Sequence, residues 1–271
     1  MNKLFPIIFV AVFIMGFAAA NVSVVGGLSR SHTVEPGAVF DGSVTLRNSA
    51  DVDADVSIYQ TDYLFSAEGG NQYGEPGTAP RSNAPWITLG SSVVTVPAGQ
   101  AVSVSYQGRL PEDSGLKGSY WSLIMVEESA PVQPAAPGQA QQPAVGIRTV
   151  KRHGIQIVTE IGDTGERALT FADPVLREDE TTHIPLLQVD IANTGERFLH
   201  PETHIELFDK DGVPVGRYGG RKARIYPGTS VRQRIALDGL APGTYEAVLI
   251  ADAGSDAVFG VRYTLRIDPD D

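Results

Sequence analysis

The chain has 271 residues, 21 of them Lys or Arg and 32 Asp or Glu, a net charge of −11, and no cysteine. That balance sets nucleic acid aside as a partner, and the missing thiols remove cysteine catalysis, a lipoprotein-type anchor and any disulfide staple. Stability must therefore come from core burial, and the length provides for two cores of ordinary size.

Asn2-Lys3, the apolar stretch from Pro6 to Phe17 and the small residues Ala18-Ala19-Ala20 form a secretory leader, cleaved after Ala20. A membrane anchor is the competing reading of the same run. No later segment is long and apolar enough to span a bilayer, so the mature chain is expected to carry no membrane span. Removing the leader takes Lys3 away and leaves 20 basic against 32 acidic residues, a net charge of −12.

From Val22 onward, short β-branched and aromatic runs alternate with Gly, Pro, Asn and Asp, which predicts an all-β protein. Alternation is clearest in Val44-Thr45-Leu46, Val56-Ser57-Ile58, Val102-Ser103-Val104-Ser105-Tyr106, Leu187-Gln188-Val189-Asp190-Ile191 and His204-Ile205-Glu206-Leu207. One order of features occurs twice. Val44 to Ile58 turns at Asn48, and Val189 to Leu207 turns at Asn193. Pro97-Ala-Gly99 is echoed by Pro227-Gly228, and Gly118-Ser-Tyr120 by Gly243-Thr-Tyr245. Two copies of one immunoglobulin-like β-sandwich are predicted, over residues 21–161 and 162–271. The Pro/Gln/Ala-rich stretch 129–146 is read as a loop inside the first copy, before its last strand, because a boundary there would leave that copy a strand short.

Within this frame, Tyr120 and Tyr245 are candidates for the tyrosine corner of such sandwiches, and Trp86 and Trp121 read as core or near-core, since a tryptophan on a sandwich strand usually fills the space between sheets. Asp209-Lys-Asp211-Gly212 reads as a hairpin turn. Asp51, Asp53 and Asp55 open like a calcium loop, but Val56 stands where a glycine is needed, so they read as a solvated strand connection. His200 and His204 have metal-like spacing only on a helix, which Pro201 and the β context oppose. No catalytic elbow, phosphate loop or dinucleotide fingerprint is present, and no cofactor is implied.

Arg148, Lys151, Arg152 and His153 gather on one strand of an acidic chain. They either protect a sheet edge or mark an edge that pairs with a partner strand and grips a carboxylate. Gly216 to Arg224 is a second basic segment, with Arg217, Arg221, Lys222 and Arg224, and reads as a solvated hairpin.

Pro36-Gly37 leading to Val44-Thr45-Leu46-Arg47-Asn48, then Trp86-Ile87, Pro97-Ala-Gly99-Gln100 and Gly118-Ser-Tyr120-Trp121-Ser-Leu123, followed by a long loop and a basic last strand, resemble the PapD-like periplasmic chaperones of pilus assembly. The resemblance covers mainly Val34 to Ile161. It implies that a first-strand arginine and a last-strand lysine hold a subunit's terminal carboxylate between the domains. Arg30 and Lys151 match those places, with Arg152 the rival of Lys151. Val145 and Ile147 match the apolar row that donates to the subunit, which Thr149 interrupts. The partners implied are exported, β-rich, pilus-type subunits in the periplasm. A non-enzymatic structural or adhesive envelope protein is the alternative.

Overall fold

The computed structural model describes residues 21–113, 115–129, 150–254 and 256–268. The leader and, apart from Ser129, the Pro/Gln/Ala-rich stretch lie outside them, and with that stretch Val145 and Ile147.

The strands begin with β1 (Val22–Val25), β2 (Ser29–Val34), β3 (Val39–Asn48), β4 (Ala54–Phe65) and β5 (Asn71–Gly74). There follow β6 (Ile87–Leu89), β7 (Val93–Val96), β8 (Ala101–Arg109), β9 (Gly118–Glu128) and β10 (Arg152–Ile161). The remaining strands are β11 (Leu169–Glu178), β12 (Pro185–Asn193), β13 (Glu202–Phe208), β14 (Pro214–Gly219), β15 (Ser230–Ala236), β16 (Gly243–Asp252) and β17 (Val258–Ile267). One sheet has the order β1-β3-β8-β6, and its companion β2-β10-β9-β4-β5, with β7 also on β4. The other two sheets run β11-β12-β15 and β14-β13-β16-β17.

Burial follows the alternation. On β8, Val104 and Tyr106 are buried while Ser103 and Ser105 face water. The first two sheets close over Leu46, Val56, Ile124, Ile155 and Ile157. The last two close over Leu187, Val189, Ile205, Leu207 and Leu249. These are two immunoglobulin-like sandwiches in tandem.

The internal repeat is visible atom by atom. Asn48 donates from Nδ2 to Val52 O (2.7 Å) and Val96 O (3.1 Å) and accepts from Ala50 N–H (3.0 Å). Asn193 donates to Arg197 O (2.7 Å) and Ile225 O (2.9 Å) and accepts from Gly195 N–H (3.0 Å). Each asparagine thus ties its own turn to the loop that crosses the sandwich beside it. Tyr245 makes a tyrosine corner, its hydroxyl donating to Ala241 O at 2.7 Å. Tyr120 does not, because its ring is engaged by Trp86 (4.7 Å) and by the guanidinium of Arg81 (5.3 Å). Asp53 and Asp55 accept hydrogen bonds from Ala98 N–H and Thr95 Oγ1 and so brace neighbouring backbone. Asp209 and Gly212, with φ of +76°, form the expected hairpin turn.

β9 is the exception to alternation, buried on both faces. Ile124 and Val126 enter the core, whereas Trp121 turns outward onto the second sandwich. Trp121 therefore does not fill the space between sheets, as its sequence context predicts; Trp86 packs against that core. The Trp121 ring stacks on Tyr226 at 4.8 Å, with Val158 buried beside them and Phe65 and Phe198 at the margin. Its indole N–H donates to Tyr63 O at 2.8 Å.

A second contact lies at the start of β9. Ser119 N–H donates to Glu196 O (2.8 Å), and Phe198 N–H donates back to Ser119 Oγ (2.8 Å). Gly118 has φ of +75°, and a Cβ there would stand 2.1 Å from Glu196 O, so only glycine permits this approach. Lys117 and Glu196 pair at 2.9 Å, while Arg197, nearly buried, pairs with Glu160 at 2.7 Å and also with Asp163. A third contact comes from the turn after β4, where Ala67 N–H donates to Ser230 Oγ at 2.9 Å.

Candidate functional site

β10 alternates between faces. Ile155, Ile157 and Ile161 enter the core, which leaves Arg152, Gly154, Gln156, Val158 and Glu160 on the outer face. β9 pairs with the whole strand, but β2 covers only Gln156 to Ile161. Among the described residues no strand lies on the other side of residues 152–155. The N–H of Gln156 points to that side, donating to Leu28 O at 2.9 Å. Strand geometry turns the N–H groups of Arg152 and Gly154 the same way, toward an uncovered edge.

The basic residues at this edge have local partners. Lys151 Nζ donates to Asn21 Oδ1 at 3.0 Å, and His153 Nε2 lies 3.3 Å from Val22 O. Arg152 pairs with Glu127 at 2.8 Å, and Tyr59 donates to the same carboxylate at 2.9 Å. Arg30, on β2, stands opposite Ile157 and donates to Gly27 O (2.5 Å) and Ser29 O (3.0 Å).

Arg30, Lys151 and Arg152 do not converge. Lys151 and Arg152 precede the level of Arg30 by roughly 16–20 Å, at about 3.3 Å per strand residue. They also stand at the end of β10 remote from the second sandwich, since its other end, at Glu160, is the one that meets Arg197. A clamp made of Arg30 with either of them between the sandwiches is not assembled, because strand direction carries the basic cluster away from the joint.

The joint is basic through other residues. A cleft of about 540 Å³ between the sandwiches is lined by Tyr63, Phe65 and Glu68 from the first, Gln156 from β10, and Arg221, Lys222, Arg224, Arg232 and Arg234 from the second. Arg232 is held by Asp190 through two bonds of 2.7 Å. Among the described residues, no carboxylate lies within 4 Å of Arg221, Lys222, Arg224 or Arg234. Gln156 Oε1 sits at the mouth, accepting from Tyr226 Oη (2.7 Å) and Arg224 Nη1 (3.4 Å). Burial pushes the Tyr226 hydroxyl's pKa up, so it stays a donor. His200 is lowered first by burial and then by Lys222 and Arg224, which registers the local positive field.

The segment Arg221 to Arg224, read from sequence as a solvated hairpin, thus lines the cleft. Its neighbour Tyr226 is the signal: a large aromatic two residues past a basic run, at the same place in the repeat as Val96, is anchored rather than free. Among the described residues no group of three potential metal ligands converges. No described helix is long and apolar enough to cross a membrane.

No family model matches the chain, and no curated protein matches it either. Solved structures do. One is a chain of a chaperone–tip adhesin complex of CFA/I fimbriae biogenesis, with TM-score 0.49, 12% identity, and coverage of 90% of this chain and 98% of that one. Another is the class 5 fimbriae chaperone CfaA, with TM-score 0.47, 12% identity, and coverage of 90% and 98%. A third belongs to the CsuC–CsuE chaperone–tip adhesion subunit complex of Acinetobacter baumannii, with TM-score 0.44, 10% identity, and coverage of 90% and 97%. Each of these likenesses extends over about nine-tenths of this chain.

Proposed function

We propose that the mature chain, residues 21–161 and 162–271 forming its two units, is a periplasmic, non-enzymatic chaperone-like protein. It binds exported β-rich subunits of the pilus or fimbrial type by adding a strand to β10. The observation that carries this reading is the stretch Arg152 to Ile155 of β10, which no described strand covers on the side opposite β9 and which lies in line with the end of β2. Backbone bonds at such an edge give affinity, and side chains flanking it give selectivity. Lys151 and Arg152 border this edge, and Val145 and Ile147 precede it in the chain.

The test is co-expression with exported pilus-type subunits, followed by purification. The expected product is a one-to-one complex that Gly154→Pro loses and Gly154→Ala keeps. Proline removes the N–H aimed at the open side without touching the β9 ladder, and alanine reproduces its steric demand. If no subunit is captured, or if Gly154→Pro captures as well as the parent, the protein is better described as a structural or adhesive envelope component.

A further inference from the structure

The cleft between the sandwiches is where this chain concentrates positive charge. Arg221, Lys222, Arg224, Arg232 and Arg234 line it, and Glu68 is the one acidic side chain among its described lining. The rest of the molecule is strongly acidic, so charge held together here works against the overall balance and favours an anionic ligand. The loop that bears the first three is fixed in advance. Ile225 bridges to Leu199, Tyr226 is buried against Trp121, and the Arg221 backbone is bound on both its N–H (3.0 Å) and its C=O (2.7 Å) by Gln233. Arg221, Lys222, Arg224 and Arg234 nevertheless remain exposed. Cations set on a rigid loop without internal carboxylates are arranged to meet carboxylates from outside.

The spacing narrows the ligand further. Lys222 and Arg224 are two residues apart on the loop, and Arg234 stands on the outer face of β15, which Gln233 ties to that loop; alternate residues of an extended partner repeat at about 6.6 Å and suit such a row. We infer that the cleft binds an extended acidic peptide segment of the partner, with carboxylates at alternate positions, and that Lys222, Arg224 and Arg234 are its principal contacts. This deepens the function proposed above and rests on it for the source of the segment. It assigns the second sandwich a share of recognition separate from the β10 edge.

The experiment uses the full mature chain and a strand-length, C-terminally amidated peptide with aspartates at alternate positions, against a matched peptide with asparagines. Amidation ensures that side-chain carboxylates alone are read. Fluorescence anisotropy should show binding of the aspartate peptide only, weakening as salt rises toward about 0.15 M, where screening acts over about 8 Å. Lys222→Ala with Arg224→Ala should weaken binding about tenfold or more. Arg234→Gln, on a separate element, should weaken it independently, whereas Lys210→Ala, on the exposed turn between β13 and β14, should leave it unchanged. Equal binding of the two peptides, insensitivity to the cleft substitutions, or preference for a single-stranded oligonucleotide over the aspartate peptide would overturn the inference. Failure here with intact subunit capture removes the acidic-segment site alone. Peptide binding without subunit capture removes the chaperone reading instead.

Discussion

Tyr226 lies flat on Trp121, ring centroids 4.8 Å apart and planes at 24°, and its hydroxyl donates to Gln156 on the next strand of the same sheet. One residue of the second sandwich thereby holds two neighbouring strands of the first, and it does so immediately after the loop that carries Arg221, Lys222 and Arg224.

Removing that ring should loosen the joint more than either core. Tyr226→Ala is expected to cost roughly 3–5 kcal/mol, the range for deleting a buried aromatic. Tyr226→Phe, which loses only the bond to Gln156, should cost about 1 kcal/mol. Urea midpoints check both values. Small-angle scattering of Tyr226→Ala should show a larger radius of gyration than the parent if the ring sets the arrangement of the sandwiches, and an unchanged curve would deny it that role.

Asn48 and Asn193 perform the same task in the two repeats, each donating twice and accepting once in a buried site. Replacement by Ala should destabilise by roughly 2–3 kcal/mol at either position, because buried carbonyls lose their donor. Asp should be no better than Ala, since a carboxylate cannot donate to Val96 O or Ile225 O. Thermal melting of the four single variants tests this. Tolerance of Asp at either site would show that the amide hydrogens are dispensable.

His32 is stacked on Phe40 at 4.1 Å and hydrogen-bonded to Tyr106 Oη at 2.9 Å, and burial lowers its pKa below 6.5. A lowered histidine favours the neutral form in the fold, so the unfolded chain takes up its proton first as pH falls. Stability is therefore full above 6.5, declines as pH drops from there toward the folded value, and levels off below it. His200, lowered by burial and by Lys222 and Arg224, acts in the same direction. Melting temperature followed between about pH 8 and pH 5 should fall, and less steeply in His32→Phe. An identical slope in that variant would place the pH dependence elsewhere.

Much of the fold was legible because period-two alternation is a local property. Val104 with Tyr106, and Leu187 with Val189, need only their own strands to declare a face. The repeat was legible because Asn48 and Asn193, with Pro97 and Pro227, carry turn chemistry in fixed order. Tyr245 makes the corner that this order suggested, and Tyr120 does not, because Trp86 and Arg81, distant in sequence, claim its ring. Trp121 is buried, as its strand context implies, but on the outer face, for a related reason. Alternation tells which residues share a face but not what covers the outer one, although a strand apolar on both faces, as Trp121 to Val126 is, signals that something must. The site was legible only in part. The β10 edge follows from a basic strand after a long loop, but the direction in which that strand runs decides which end meets the second sandwich, and no residue of the strand encodes it.

The contact between the sandwiches is spread over an area. Gln156 and Glu160 meet the second sandwich at two levels of β10, and Ala67 meets it beyond β4, two strands away across the sheet. Two of these points define an axis and the third lies off it, so no rotation satisfies all three at once. The molecule has the mechanics of a bracket rather than a hinge. The cleft's width is set when the chain folds, and its lining is ordered in advance by the aromatic cluster and the buried Arg197, so the proposed acidic segment would meet a surface already in place.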